Sequence, residues 1–449
     1  MSQTTHSPFN RWFIRISIIF AFFAGFSMGA HIVSIDGFFF PQGKSYFAII
    51  QTHGYIQFMG WIGLFIMGVS LYFFPRISHI PIEAKKTNWI LGLISVGLTG
   101  RYLAHNTTPY ISAPTVFSVL NWIIFLSTVT VWIGVLFYVG SFGKAVLKAR
   151  GTSALEKLNP IKGFMFMTLL GWVVYNTVQV GLTWEMLRSN SLILDVLWNE
   201  WSLQAFTLLV VIPICFAVSV RTFPLYLRLA PIRWQVEYLA MLYAIAIAME
   251  LLYLKGWWTI AGMILRSVLV IWFIWKIDIL TRFKAPWTHY QKEPFKLDRQ
   301  KQPRDGYPDY GEWGRFELLV YSAYFWLAVA MILDIFRIVS IYTRLPILIY
   351  PDAVRHLILL GFATMLIFGM APRMIPGFMK KKMVAKPHWV IWTFWIGNIS
   401  VIMRVIPIAF TGKSFTVFSG ALYGLSGIFV LIALVLFSIN MWKSTVVDS

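Results

Sequence analysis

Cysteine is nearly absent from this chain: one residue, Cys215, stands among 449. A single thiol excludes an intrachain disulfide, a cysteine-ligated iron–sulfur cluster and a multi-cysteine zinc site. Metal chemistry within the chain therefore has to use histidine, methionine or carboxylates. Charge is scarce too, at 12% of residues against 58% hydrophobic and 17% aromatic. A chain of this length with so little polar material cannot cover a soluble surface, so it reads as a polytopic, all-α membrane protein. Acidic residues are the scarcest charged class, 18 against 38 Lys and Arg, for a net charge of +20. That excess would suit nucleic acid, but the basic residues lie in short loops between apolar runs, where membrane topology places them. Nucleic acid is therefore not expected as a partner; the lipid bilayer is. The leader MSQTTHSPFNRWFIR lacks a small-residue cleavage site and is expected to be retained.

What is present is a succession of apolar runs punctuated by charge, proline and glycine. About 20 apolar residues cross a bilayer as a helix. Twelve runs qualify: 12–34, 46–75, 88–104, 114–141, 161–184, 197–221, 235–254, 256–277, 316–339, 352–376, 388–407 and 414–442. Assigned to alternating sides, 28 of the 38 basic residues gather on one side, nine fall on the other and Arg266 lies mid-span. That bias predicts an even number of spans with both termini in the cytoplasm. The polar stretch 278–315 falls on the cytoplasmic side and is too short for a domain, so residues 1–449 are expected to form one transmembrane domain.

The run 46–76 carries glycines at 54, 60, 63 and 68, with His53 and Gln57 four residues apart on one helical face. Such a thin face admits either a flat cofactor or a close helix. Of the eight histidines, His6, His79, His289 and His388 fall in or beside cytoplasmic loops. His31, His53, His105 and His356 fall toward the outer ends of spans one, two, three and ten. At ~1.5 Å per residue, His53 and His356 lie roughly 6 to 10 Å below the outer boundary. Two imidazoles at one depth on different helices can hold a metal from opposite faces, and haem iron suits them; two hydrogen-bonded core histidines would look the same.

Arg101, Arg344, Arg355 and Arg404 fall near the same layer, placed either for haem propionates or for lipid headgroups. Asp334 and Arg337, three apart, read as a local ion pair. Glu250 and Glu317 lie within or at the start of spans, as proton relays or as paired structural carboxylates.

Two stretches carry a family resemblance. In the second span they are His53-Gly54, Gln57, Gly60-Trp61, Leu64-Phe65, Gly68 and Pro75-Arg76; in the tenth, Arg355-His356, Gly361-Phe362, Ile367, Gly369-Met370-Ala371, Arg373 and Pro376. These resemble the NnrS family of membrane haem proteins, itself similar in layout to subunit I of the haem–copper oxidases. The resemblance implies a subunit I-like bundle in a bacterial inner membrane, linked to nitric oxide metabolism or nitrosative-stress tolerance. It also implies haem b, with copper reported for the family, and a redox partner. Under it His53 and His356 are expected to ligate iron, with Gln57 beside His53 and Arg101, Arg404 and Arg355 as cofactor-binding cations. His31 and His105 are then second-metal or supporting ligands. Tyr55 stands where many relatives have a second histidine, and no histidine lies between His105 and His289. A binuclear oxygen- or nitric oxide-reducing centre is therefore not expected. Two other classes remain open: a transporter lined by the histidines and Arg266, and an assembly or partner subunit with a structural haem.

Overall fold

A computed structural model describes residues 9–78, 82–149, 156, 158–227, 229, 232–252, 256–280, 311–343, 349–412 and 414–446. His6, His79, His289, Arg344 and most of the 278–315 stretch lie outside the described residues. Among those described, helix is the only regular secondary structure. In chain order the long helices are Trp12–Gly37, Tyr46–Arg76, Ala84–Thr107, Pro114–Lys148, Asn159–Ser189, Val196–Tyr226, Val236–Leu251, Trp257–Ile277, Phe316–Thr343, Pro351–Phe378, Pro387–Thr411 and Val417–Ser444. Ten of these are long and apolar enough to cross a bilayer. The third, Ala84–Thr107, carries Lys85, Lys86 and Arg101 and is too polar to qualify, while the seventh, Val236–Leu251, is 16 residues long. Each apolar run of the sequence thus has a helix, and all-α polytopic architecture is what the chain adopts.

The ends follow local chemistry. Asp195 accepts from Trp198 N–H at 2.9 Å and starts the sixth helix. Thr416 and Ser419 form a reciprocal capping box at the twelfth. Asn190 closes the fifth in the left-handed region at φ 50°, a conformation asparagine tolerates.

The chain groups into two compact units: Met1–Ile35 with Phe39–Pro213, and Asp36–Phe38 with Ile214–Ser449. Burial is uneven among the helices. The most apolar stretch of the second helix is 72% buried and that of the tenth 83%, against 33% for the fourth. The second helix is therefore an inner element of the first unit and the tenth of the second. Large apolar side chains on other helices, among them Leu126, Phe166, Ile245 and Phe336, are exposed, as a lipid-facing surface requires.

The glycines of the second helix serve packing. A Cβ on Gly60 would come within 2.9 Å of Phe20, and one on Gly63 within 2.9 Å of Trp172. On the tenth helix Gly361 admits Trp326 in the same manner. Of the two uses the sequence allowed for a thin face, the close neighbouring side chain is the one seen at these positions.

Among the described residues four helices widen into π segments, at Ala21–Phe26, Gln57–Gly63, Thr207–Val211 and Leu357–Thr364. Such turns are uncommon and leave carbonyls short of their usual partners. Thr364 Oγ1 donates to Leu359 O, five residues back, at 2.9 Å, and Ser27 Oγ donates likewise to Phe22 O.

Candidate functional site

Two of the π segments follow the two singled-out histidines, Gln57–Gly63 after His53 and Leu357–Thr364 directly after His356. In the first unit, His53 Nδ1 lies 2.9 Å from Gly25 O, a carbonyl within the π segment of the first helix. A carbonyl only accepts, so Nδ1 carries the proton and the basic lone pair of the ring belongs to Nε2. Gly29, one turn further along the first helix, makes this seat usable: a Cβ there would stand 2.7 Å from His53 Cε1. Gln57 stacks against Gly25, where a Cβ would meet its amide at 3.2 Å, and its Oε1 is buried without a hydrogen bond.

In the second unit, His356 Nδ1 donates to Asp352 O, one turn earlier in its own helix, at 2.7 Å. The tautomer is again fixed with Nε2 basic. Arg404 Nη1 approaches that nitrogen at 3.5 Å, a contact at the limit of a hydrogen bond. Arg404 is held from its other side by Ser426 Oγ, 2.7 Å from its Nε, and faces the Tyr423 ring at 5.3 Å. Arg355 pairs with Asp352 at 3.6 Å. Within this unit the structure brings together His356, Arg404 and Arg355 by way of Asp352; His53 and Gln57 are together in the first.

The other expected residues fall differently. His31 is exposed on the first helix, and His388 is exposed, as a histidine beside a loop should be. His105 is fully buried with Nδ1 3.1 Å from Thr52 Oγ1, the geometry of a hydrogen-bonded core histidine. Among the described residues no group of three or more His, Cys, Asp or Glu is close enough to hold a metal ion.

Arg101 is wholly buried, its Nη2 2.9 Å from Gln179 Oε1 and its Nη1 3.3 Å from Thr128 Oγ1. Its guanidinium carbon sits 3.6 Å from the Tyr55 ring centroid, on the ring face, while the Tyr55 hydroxyl makes no hydrogen bond of good geometry.

From the sequence Arg266 figured as polar lining only under the transporter alternative, and Asp334 was paired only with Arg337. The structure gathers all three with Glu250. Arg337 Nη2 lies 2.8 Å from Asp334 Oδ1, as the three-residue spacing predicts, and Asp334 Oδ2 also accepts from Arg266. Arg266 Nε is 3.2 Å from Glu250 Oε2, an ion pair whose alignment is too poor for a hydrogen bond. The signal for this cluster, charges buried in three spans, was visible; which charge met which was not. Glu317 pairs with Arg315 at 2.5 Å.

No family model matches the chain, and no curated protein matches it. A solved structure of a haem–copper terminal oxidase dimer does, with a TM-score of 0.69 over 98% of this chain and 84% of that chain. The fold is shared with a haem–copper terminal oxidase. At 12% identity the likeness concerns the fold alone.

Proposed function

We propose that this chain is a haem b protein of the bacterial inner membrane, both termini cytoplasmic, in which His53 and His356 supply imidazole ligands to iron. The observation that carries the reading is the shared tautomer: each ring gives its Nδ1 proton to a backbone carbonyl, so each keeps a basic Nε2 to offer. Orienting a ligand histidine through its far nitrogen is the usual supporting arrangement at metal sites. Bound haem would supply a one-electron iron couple.

The residues here fix rings and hold cations. Gly25 O and Gly29 fix the His53 ring, the first through a hydrogen bond and the second by leaving room. Gln57 places a buried, unsatisfied Oε1 one turn from His53, on the same helix. Arg355 and Arg404 are the cations available in the second unit for the acidic groups of such a cofactor. Iron at His356 Nε2 requires Arg404 Nη1 to turn away from that nitrogen, because one lone pair cannot serve both.

A nitric oxide-responsive or electron-transfer role for an NnrS-like protein rests on the motifs of the second and tenth spans together with this pair of imidazoles. Copper through His31 and His105 lacks a comparable observation. The transporter alternative drew on Arg266 as lining, and its ion pairs with Glu250 and Asp334 account for that residue without a substrate.

The test is haem content of the purified protein. H53A and H356A should each lose most of the haem and the reduced-spectrum bands, while H105A retains them. Full haem retention in both H53A and H356A overturns the assignment, and a wild-type protein without haem bands returns the transporter reading to the front.

A further inference from the structure

The first unit buries a positive charge without burying a negative one. Its acidic residues are Glu83, Glu156, Glu185, Asp195 and Glu200, and every one is exposed. Arg101 is 0% exposed, and the partners of its guanidinium are the neutral oxygens of Gln179 and Thr128 and the face of Tyr55. Neutral partners satisfy hydrogen bonds but do not cancel a charge taken out of water, which costs several kcal/mol per ion even after relaxation. Water in the cluster would have the same shortcoming.

We propose that the cluster formed by Arg101, Tyr55 and Tyr175 is a binding site for a small inorganic monoanion of chloride or nitrate size. Two donors around it are unengaged: Arg101 Nε–H and the Tyr175 hydroxyl are buried and make no hydrogen bond. The buried Tyr55 hydroxyl has only a poorly aligned contact with Arg101, in which its oxygen can only accept, so its own O–H is available as a third donor. The two phenol rings lie nearly parallel, 25° apart, with centroids separated by 6.2 Å, and Tyr175 is close enough to interact electrostatically with both Tyr55 and Arg101. A guanidinium and two phenols are donor groups that anions take and cations avoid. One fixed positive charge selects a monoanion, since a dianion would leave net negative charge buried in its turn.

Gln179 is a positioning residue for the site. Its Oε1 holds Arg101 while its Nε2 donates to Ser202 Oγ at 2.9 Å and to Asn199 Oδ1 at 3.2 Å. The guanidinium is therefore fixed by a chain of side chains from the third, fifth and sixth helices before any anion arrives. Such prearrangement lowers the ordering cost of binding.

The experiment titrates the detergent-solubilised full chain, with its cofactor as purified, with sodium chloride or sodium nitrate. Gluconate, a much larger anion than chloride or nitrate, holds ionic strength constant, and the thermal midpoint is read. Wild type should show a saturable rise. R101Q should raise the half-saturating concentration at least tenfold, R101K should raise it as well by removing the fork, and Y55F or Y175F should raise it severalfold. Preparations stripped of cofactor should respond as the untreated ones do. If R101Q fails to fold, R101K and Y175F decide the question. A response that does not saturate, or that is equal in wild type and the Arg101 variants, overturns the proposal. A response confined to cofactor-free protein also overturns it, since the counter-charge would then be a carboxylate of the cofactor. Because the midpoint is read with and without cofactor, failure here is distinguishable from failure of the haem assignment.

Discussion

Arg101 and Arg266 are both buried in apolar helical surroundings, yet their settings are opposite. Arg266, in the second unit, is met by Glu250 and by Asp334, which in turn holds Arg337. Arg101, in the first unit, meets Gln179, Thr128 and Tyr55 and no carboxylate. A buried ion pair is a closed arrangement whose removal in part is worse than its removal entire. A buried cation held by neutral groups is an open one, complete only with something the unit does not itself supply. The contrast teaches that a buried arginine in a membrane protein is to be read through its partners.

The largest effect expected is at Asp334. D334A leaves Arg266 and Arg337 without their shared carboxylate, and breaking a buried pair in this way costs about 3 to 5 kcal/mol. Equilibrium unfolding in mixed micelles would show it, and a loss under about 1 kcal/mol would mean that the network is solvated and the contrast false. R266M should also be large, because it takes the arginine from Glu250 and one of the two arginines from Asp334, whereas R101M takes a cation from no carboxylate. In gluconate buffer R101M is expected to lie within about 1 kcal/mol of wild type, because the hydrogen bonds lost are offset by the relief of an uncompensated buried charge. Equal destabilisation by R266M and R101M would remove the distinction between the two units.

A narrower effect is expected at Gly29. G29A puts a methyl 2.7 Å from His53 Cε1 and should cost about 1 to 3 kcal/mol through overpacking. It should also lower haem retention, while G43A, with open space around its Cβ, changes neither. The smallest effect belongs to Glu83, which is exposed and lies 2.6 Å from Lys86. That bond and the lysine charge hold the Glu83 carboxyl below its usual range. A depressed carboxylate stabilises above its unfolded pKa, and the contribution fades as pH falls through the folded value. For so exposed a pair, E83Q should leave the thermal midpoint unchanged between neutral and mildly acidic pH, as surface pairs generally do.

Hydropathy alone located the helices, because a bilayer demands long apolar runs and backbone bonds satisfied within each. It could not rank them. Lipid and protein core are equally apolar, so nothing in the composition of the second, fourth and tenth runs foretold 72%, 33% and 83% burial. The histidine seats divide in the same way. The acceptor for His356 is the carbonyl one turn back in its own helix, a local matter. The acceptor for His53 is Gly25 O on the first helix, which only packing could bring to it. The Asp334 and Arg337 pair followed from a three-residue spacing, whereas Glu250 and Arg266 had to arrive from other helices.

By itself the sequence determined that residues 1–35 and 39–213 hold five acidic residues; that each of them is exposed, so that the unit has no buried carboxylate to offer, was decided by the tertiary structure. Nor did the sequence determine that Arg101 would be enclosed, since a long cationic side chain near a helix end can as readily reach for headgroups. Tertiary structure decided that by setting Gln179 and Thr128 where they bind the guanidinium and Tyr55 where it covers its face. The physical reason is that which residues exist is written in the chain, but the dielectric around a charge is set by everything that packs against it.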